Sequence, residues 1–152
     1  MQGVVEAIYV SPRGGEPMCG VAEVEAAEGF GLLGDRYAAR AGFWTGVDEC
    51  EVTLIEAEDL EAIERDSKVK VTNGEHRRNL VTRGVRLLAL SGKRFQIGEV
   101  VLEFDRPRPP CSYIQSLTEP GMTRALARTG GVCARVVKSG WIRVDDLIKV
   151  VE

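Results

Sequence analysis

Residues 79–104 read NLVTRGVRLLALSGKRFQIGEVVLEF, and this stretch decides the fold class. Two strand-like runs are separated by Ser91 and Gly92 and interrupted again by Gly98. The apolar side chains from Phe95 to Phe104 follow the pattern of a bent or bulged sheet rather than the 3.6-residue period of a helix. The stretch therefore predicts β-structure with glycines at its corners.

Short strands are also predicted on both sides of this stretch. Residues 3–10 and 19–27 flank the turn signal SPRGG, residues 50–55 read CEVTLI, and residues 132–140 and 141–151 form a last pair of strands. One amphipathic helix is predicted in EAEDLEAIERD (56–66), and two short helical patterns follow in 111–117 and 122–130. About seven strands and two or three short helices predict a mostly β (α+β) fold, a closed or nearly closed β-barrel.

Length and composition predict a single domain over residues 1–152. The sequence contains no apolar run of the roughly 18 residues that a membrane span needs, and its start lacks the features of a signal peptide. A cytoplasmic location and no membrane partner are therefore expected. A net charge of −3 makes no case for nucleic acid.

The charge is unevenly distributed along the chain. Residues 23–66 contain 13 acidic and 3 basic side chains, whereas residues 76–108 contain 8 arginines and lysines and 3 acids. An anionic ligand would favour the second region. Two solvated faces of opposite sign would produce the same counts.

Four cysteines, at 19, 50, 111 and 133, form no CxxC pair and fit no zinc-binding spacing. Cys50 and Cys133 lie in strand-like runs and are expected to pack on a sheet, and nothing around Cys19 is basic. Cys111 differs because it ends the segment RPRPPC. Arg106 and Arg108 nearby, and a predicted helix start at the sulfur, would favour a thiolate, although a small buried hydrophobe is the alternative.

Two further segments carry candidate binding residues. HRRNLVTRG (76–84) contains Arg77, Arg78 and Arg83, whose guanidinium groups can hold a phosphate through paired hydrogen bonds, with Asn79 as a polar neighbour. A solvated turn remains the alternative there. In GDRY (34–37), Asp35 and Arg36 can form a local pair that stabilises a turn.

The ordered set GLLGDRY, VTLIEAEDL, RRNLVTRGV, LSGKRFQIG, RPRPPC and GGVCARVVKSG resembles the MOSC family, whose domain forms the C-terminal part of molybdenum-cofactor sulfurases. The resemblance runs from near Gly31 to the last strand. It implies a barrel like that of pyruvate kinase. Tyr37, where the family often has histidine, and Asp145, where it often has glycine, depart from the pattern.

The resemblance also implies a site. Cys111 would be the reactive cysteine, carrying persulfide sulfur or acting as a molybdenum ligand. The cofactor's phosphate and pterin would contact basic and polar residues of the motifs, namely Arg77, Arg78, Asn79 and Arg83, with Asp35 and Arg36 close by and Arg106 and Arg108 beside the cysteine.

Three functions follow from the resemblance. In the first, a sulfurtransferase-like component, Cys111 relays sulfur from a cysteine desulfurase, which supplies its own pyridoxal phosphate, to a metal–sulfur or molybdopterin acceptor in a molybdenum enzyme or its cofactor. The molybdenum cofactor (molybdopterin) is then a transient ligand. In the second, Cys111 ligates molybdenum in a reductase-type module. In the third, the protein is a non-catalytic adaptor that delivers the cofactor.

Overall fold

The computed structural model describes residues 3–12, 15–35, 50–68, 70–108 and 131–151. Within these ranges one helix, α1 (Ala57–Ser67), and one 3-10 turn, Leu87–Leu90, accompany a series of short strands. The strands are β1 (Gly3–Val10), β2 (Cys19–Val21), β3 (Glu23–Ala27), β4 (Gly31–Leu32), β5 (Val52–Glu56), β6 (Leu80–Arg83), β7 (Arg94–Ile97), β8 (Val100–Pro107), β9 (Val132–Lys138), β10 (Gly140–Arg143) and β11 (Leu147–Val151).

Seven of these strands close into a barrel. Their order is β1, β6, β5, β9, β8, β7 and β11, and β11 pairs back onto β1 through Gly3 opposite Ile148. Strand β2 adds to β1 on the outside of this ring. Register shifts in β1 against β6 and in β8 against β9 mark bulges, which bend strands as a small barrel requires.

A second, three-stranded sheet has the order β10, β3, β4. In sequence, strands of this sheet lie between strands of the barrel. For example, β10 comes between the barrel strands β9 and β11. The change of direction between β10 and β11 includes Asp145, whose φ of 78° lies in the left-handed region. This is the position at which the resembled family often has glycine, the residue that adopts such a φ most easily.

The one parallel pair of the barrel, β5 with β6, is joined by a crossover that contains α1. Parallel neighbours need such a connection, since a tight turn can join only antiparallel strands. Leu60 and Ile63 of α1 pack with Ile55 and Val81 of the two strands in a small outer apolar cluster. The crossover therefore places residues 72–79 at the entrance to β6.

The barrel interior holds the main apolar core. Leu54, Leu80, Phe95, Ile97 and Leu102 are fully buried there and come from β5, β6, β7 and β8. Phe95 and Ile97 alternate with exposed residues on β7, as expected for a strand with one face inward. This core fixes the positions of the strand ends that carry the candidate site.

The predicted mostly β fold and closed barrel are confirmed, and so is the helix in 56–66. Two strand predictions were wrong in their extent. Residues 19–27 form β2 and β3, and residues 141–151 lie in β10 and β11; in each case the two strands belong to different sheets. The breaks fall at Ala22 and at residues 144–146, which the apolar pattern does not reveal.

The two helical patterns in 111–117 and 122–130 lie outside the described residues. The single domain over 1–152 stays a prediction. In the ranges that the structure describes, no helix combines the length and the apolar character needed to cross a membrane.

Candidate functional site

The candidate site is built on the turn that leads into β6. Arg77 closes this turn by donating its backbone N–H to the Gly74 carbonyl over 3.0 Å. The φ of Arg77 is 59°, a left-handed conformation that a non-glycine residue rarely adopts. Its cost, of order 1–3 kcal/mol, must be offset by the surrounding contacts. The turn thus directs the side chains of Arg77 and Arg78 to different sides.

The buried side chain of His76 stabilises this turn. Its Nδ1 accepts the backbone N–H of Arg78 at 2.9 Å, and its ring meets the Tyr9 ring edge-on at 5.2 Å. Burial, with a smaller effect from the Arg78 charge, lowers the pKa of His76 to about 3. The imidazole is therefore neutral at physiological pH, with its proton on Nε2. Among the described residues, Nε2 has no hydrogen-bond partner.

Arg78 reaches across the barrel rim to the end of β8. Its Nη2 donates to the Arg108 carbonyl oxygen over 3.3 Å, a contact between residues 30 apart in sequence. Arg108 is fixed in turn by donating its backbone N–H to the Gly131 carbonyl over 2.8 Å. The two arginines are 5% and 7% exposed, so both side chains lie in a region of reduced dielectric.

Arg77 lies on the other side of the turn and is linked through hydrogen bonds to Asp35, another residue predicted for the site. Arg77 Nη1 donates to the Glu16 carbonyl over 2.7 Å, and the same carbonyl accepts the Ser11 hydroxyl at 3.1 Å. The Ser11 backbone N–H donates to Asp35 Oδ1 over 3.0 Å. Asp35 and Arg77 therefore belong to one buried polar network, although they are far apart in sequence.

A cavity of about 260 Å³ opens beside this network. Arg77 lines it together with Met18, Gly74 and Glu75.

Three buried arginines, Arg77, Arg78 and Arg108, form what we call the arginine cluster. All three are less than a tenth exposed, and their planar donors suit an anionic oxygen ligand such as phosphate.

The side chain of Asn79 has a structural role. Its Oδ1 accepts the Thr53 backbone N–H at 3.0 Å and the Thr53 hydroxyl at 3.1 Å, and its Nδ2 donates to the Tyr9 carbonyl over 3.1 Å. The side chain thus ties β5 and β1 to the entrance of β6. These bonds hold the arginine cluster in place rather than presenting the amide to a ligand.

Arg83 lies at the far end of β6, on the outer surface. Its guanidinium binds Glu6 and Glu61, and both partners are exposed. The hydrogen bonds that Arg83 donates to these two carboxylates raise its pKa. The structure does not bring this arginine to the arginine cluster.

A buried thiol, Cys133, lies opposite Arg106 and within reach of the charges of the arginine cluster. Arg106 of β8 lies opposite Cys133 of β9, and its Nη1 donates to Asp105 over 2.6 Å. Cys133 Sγ lies 2.7 Å from Cys50 Sγ. The side-chain hydrogen bond from Cys50, and then the charges of Arg108, Arg106 and Arg78, lower the pKa of the Cys133 thiol.

Cys111 and Arg36 lie outside the described residues. Sequence reasoning missed His76 as a support for Arg78, and it missed the contact between Cys50 and Cys133. The lone histidine next to two arginines could have signalled the first, but no local signal relates two cysteines 83 residues apart. In the ranges that the structure describes, no three His, Cys, Asp or Glu side chains form a metal-binding group.

A comparison with protein families identifies the family of the chain. The model described as "MOSC domain" matches residues 43–149, which is most of the sequence. The chain therefore belongs to the MOSC domain family, as the resemblance implied. MOSC domains are generally associated with the molybdenum cofactor. A comparison with curated proteins found no match.

Solved structures share the fold. The YuaD protein from Bacillus subtilis superposes with a TM-score of 0.81 at 17% identity, covering 99% of this chain and 96% of that one. YiiM from Geobacillus stearothermophilus gives 0.75 at 20% identity, covering 99% and 75%. YiiM from Escherichia coli gives 0.73 at 21% identity, covering 100% and 70%. At these identities the likeness establishes the fold alone.

Proposed function

We propose that this MOSC protein binds the molybdenum cofactor through the arginine cluster and relays sulfane sulfur through Cys111. The observation that carries the proposal is the burial of Arg77, Arg78 and Arg108 together at the barrel rim, directly before the segment that contains Cys111. Arginine is well suited to bind phosphate oxygens through paired N–H donors, and molybdopterin carries a phosphate.

The donor set fits this cofactor. Arg78 and Arg108 offer guanidinium groups within one buried region, and Arg77 offers a third on the other side of the turn. Paired N–H donors on a planar group match the oxygen geometry of a phosphate better than a lysine would. When bound, the cofactor would supply a metal centre that accepts or holds sulfur.

Chain connectivity supports the role of Cys111. It is three positions after Arg108 in sequence, so the two Cα atoms lie within about 11 Å of each other in any conformation. Pro109 and Pro110 between them restrict the backbone and reduce the entropy lost when the thiol is held in one place. Guanidinium charges near a thiol favour the thiolate, the form that attacks sulfur, and the sequence carries Arg106 and Arg108 within five positions of Cys111.

The loading step is a thiol–persulfide exchange. The Cys111 thiolate attacks the terminal sulfur of a persulfide on a cysteine desulfurase, the donor's S–S bond breaks, and the donor cysteine leaves as a thiolate, while the transferred sulfur keeps its hydrogen. Cys111 then holds the sulfur as its own persulfide. A nucleophilic acceptor takes that terminal sulfur, and Cys111 leaves as a thiolate, so the relay returns to its starting state.

Mass spectrometry of the sulfur-loaded protein tests the relay. The purified full chain is incubated with a cysteine desulfurase and cysteine, alkylated, and mapped thiol by thiol. We expect a persulfide on Cys111 that Cys111→Ser removes, and the matched variant Cys19→Ser, which changes an exposed thiol, retains it. Label on Cys133 in place of Cys111, or label unaffected by Cys111→Ser, overturns the relay.

A further inference from the structure

The relay leaves two buried thiols unused, and they are in contact. Cys50 and Cys133 are 7% and 0% exposed, and their sulfur atoms lie 2.7 Å apart. A disulfide bond is about 2.05 Å long, so the two sulfurs are within roughly 0.7 Å of bonding distance. Little movement would join them covalently.

The fold explains why these two residues meet. Cys133 lies in β9 opposite Thr53 of β5, and Cys50 comes two residues before β5 begins. Cys50 Sγ also lies 3.6 Å from the Val52 carbonyl oxygen, so its side chain points back toward the sheet. The thiols therefore meet at the seam between β9 and β5, where both strands are held by ladder hydrogen bonds.

The electrostatics divide the two thiols into a nucleophile and a partner. Cys50 donates its S–H to Cys133, and the hydrogen bond together with burial raises the pKa of the Cys50 thiol. Arg106 lies opposite Cys133 in the ladder, and the charge of Arg108 also acts on it. Negative charge is therefore stabilised on Cys133, while Cys50 keeps its proton.

We propose that Cys50 and Cys133 are a redox-active dithiol that hydrogen peroxide closes into a disulfide. The Cys133 thiolate attacks one peroxide oxygen, the O–O bond breaks, and hydroxide leaves, giving a sulfenic acid on Cys133. The Cys50 sulfur then attacks the Cys133 sulfur, its proton joins the departing hydroxyl, and water leaves. Two thiols lose two electrons and two protons, and one peroxide becomes two waters.

The disulfide would fix β9 to the entrance of β5. The cross-link would span 83 residues of sequence, a segment that includes α1 and the arginine cluster. Closing so long a segment restricts the unfolded chain strongly, which raises the melting temperature by an amount on the order of 10 °C for a domain of this size. The carbonyl of Gly131, which holds the Arg108 backbone, lies two residues from the cross-link.

Peptide mapping after peroxide treatment tests the dithiol. The reduced full chain is titrated with hydrogen peroxide, alkylated, and digested without reductant. We expect a peptide pair that joins Cys50 to Cys133 with the loss of two hydrogens, reversed by dithiothreitol. We expect the oxidised protein to melt on the order of 10 °C higher than the reduced protein.

Single-cysteine variants assign the two roles. In Cys50→Ser, Cys133 is expected to accumulate a sulfenic acid that dimedone traps, whereas Cys133→Ser leaves Cys50 largely unmodified. Cys19→Ser is the matched control and forms the cross-link like the wild type. Because a core variant can fail to fold, the wild-type melting shift decides independently. A wild-type protein that fully oxidises Cys19 without linking Cys50 to Cys133 overturns the proposal.

Discussion

Arg78 and Arg83 belong to one motif, HRRNLVTRG, but they lie in opposite environments. Arg78 is buried and directed to the end of β8, whereas Arg83 is partly exposed and already bound to Glu6 and Glu61. The turn at Arg77 and the alternation of side chains along β6 separate them. Membership of one basic motif therefore does not predict a shared environment, because the burial and the partners of the two arginines differ.

The largest effect is expected at Asn79, which holds the buried region in place. Asn79→Ala removes the acceptor for Thr53 and the donor to the Tyr9 carbonyl, and leaves those buried groups without their bonds. We expect the free energy of unfolding to fall by about 3 kcal/mol. Urea unfolding measures this. The matched control is Asn73→Ala, at an exposed position, and an equal loss in both variants contradicts the assignment.

The next effect is a pH dependence that arises from His76. Its pKa is about 3 in the folded protein, below the value of about 6.5 in the unfolded chain, so the unfolded state takes up the proton first as pH falls. The free energy of unfolding therefore falls as the pH is lowered from about 6.5 to about 3. At about pH 5 it has fallen by about 2 kcal/mol.

The variant His76→Asn isolates this contribution. Asparagine can offer Oδ1 to the Arg78 backbone N–H in place of Nδ1 but does not titrate. Urea unfolding at a series of pH values should show a shallower acid slope for His76→Asn than for the wild type. Identical slopes in the two proteins would mean that burial does not keep the imidazole neutral.

The smallest effect is expected on the exposed side of the comparison. Arg83→Ala breaks two surface ion pairs, and such pairs contribute little because water and salt screen them. Its urea midpoint should match that of Arg65→Ala, a variant of another exposed arginine paired with Asp66. A loss comparable to that of Asn79→Ala would show that Arg83 is part of the structural framework.

Much of the barrel could be predicted from the sequence because strand alternation and glycine corners are local signals. Phe95 and Ile97 show the alternation directly, and Ala57, Leu60 and Ile63 show the helical period of α1. The division of residues 19–27 and 141–151 between two sheets could not be predicted, since it depends on which strands pair at long range.

The candidate site was predictable in composition but not in arrangement. Arg77, Arg78 and Arg108 were named from basic motifs, and the structure buries all three. The same reasoning also named Arg83 and Asn79, which the fold directs to a surface ion-pair cluster and to the sheet. The contact of Cys50 with Cys133 depends on strand pairing across 83 residues, which one sequence does not reveal.

Binding of purified molybdopterin to the variants Arg78→Lys and Arg83→Lys tests the central claim most directly. Both variants keep the charge, but lysine loses the paired N–H donors of a guanidinium. We expect Arg78→Lys to bind about tenfold more weakly than the wild type, and Arg83→Lys to bind equally well, with both proteins folded by circular dichroism. Equal affinity in all three proteins, or a loss confined to Arg83→Lys, would contradict a cofactor site at the arginine cluster.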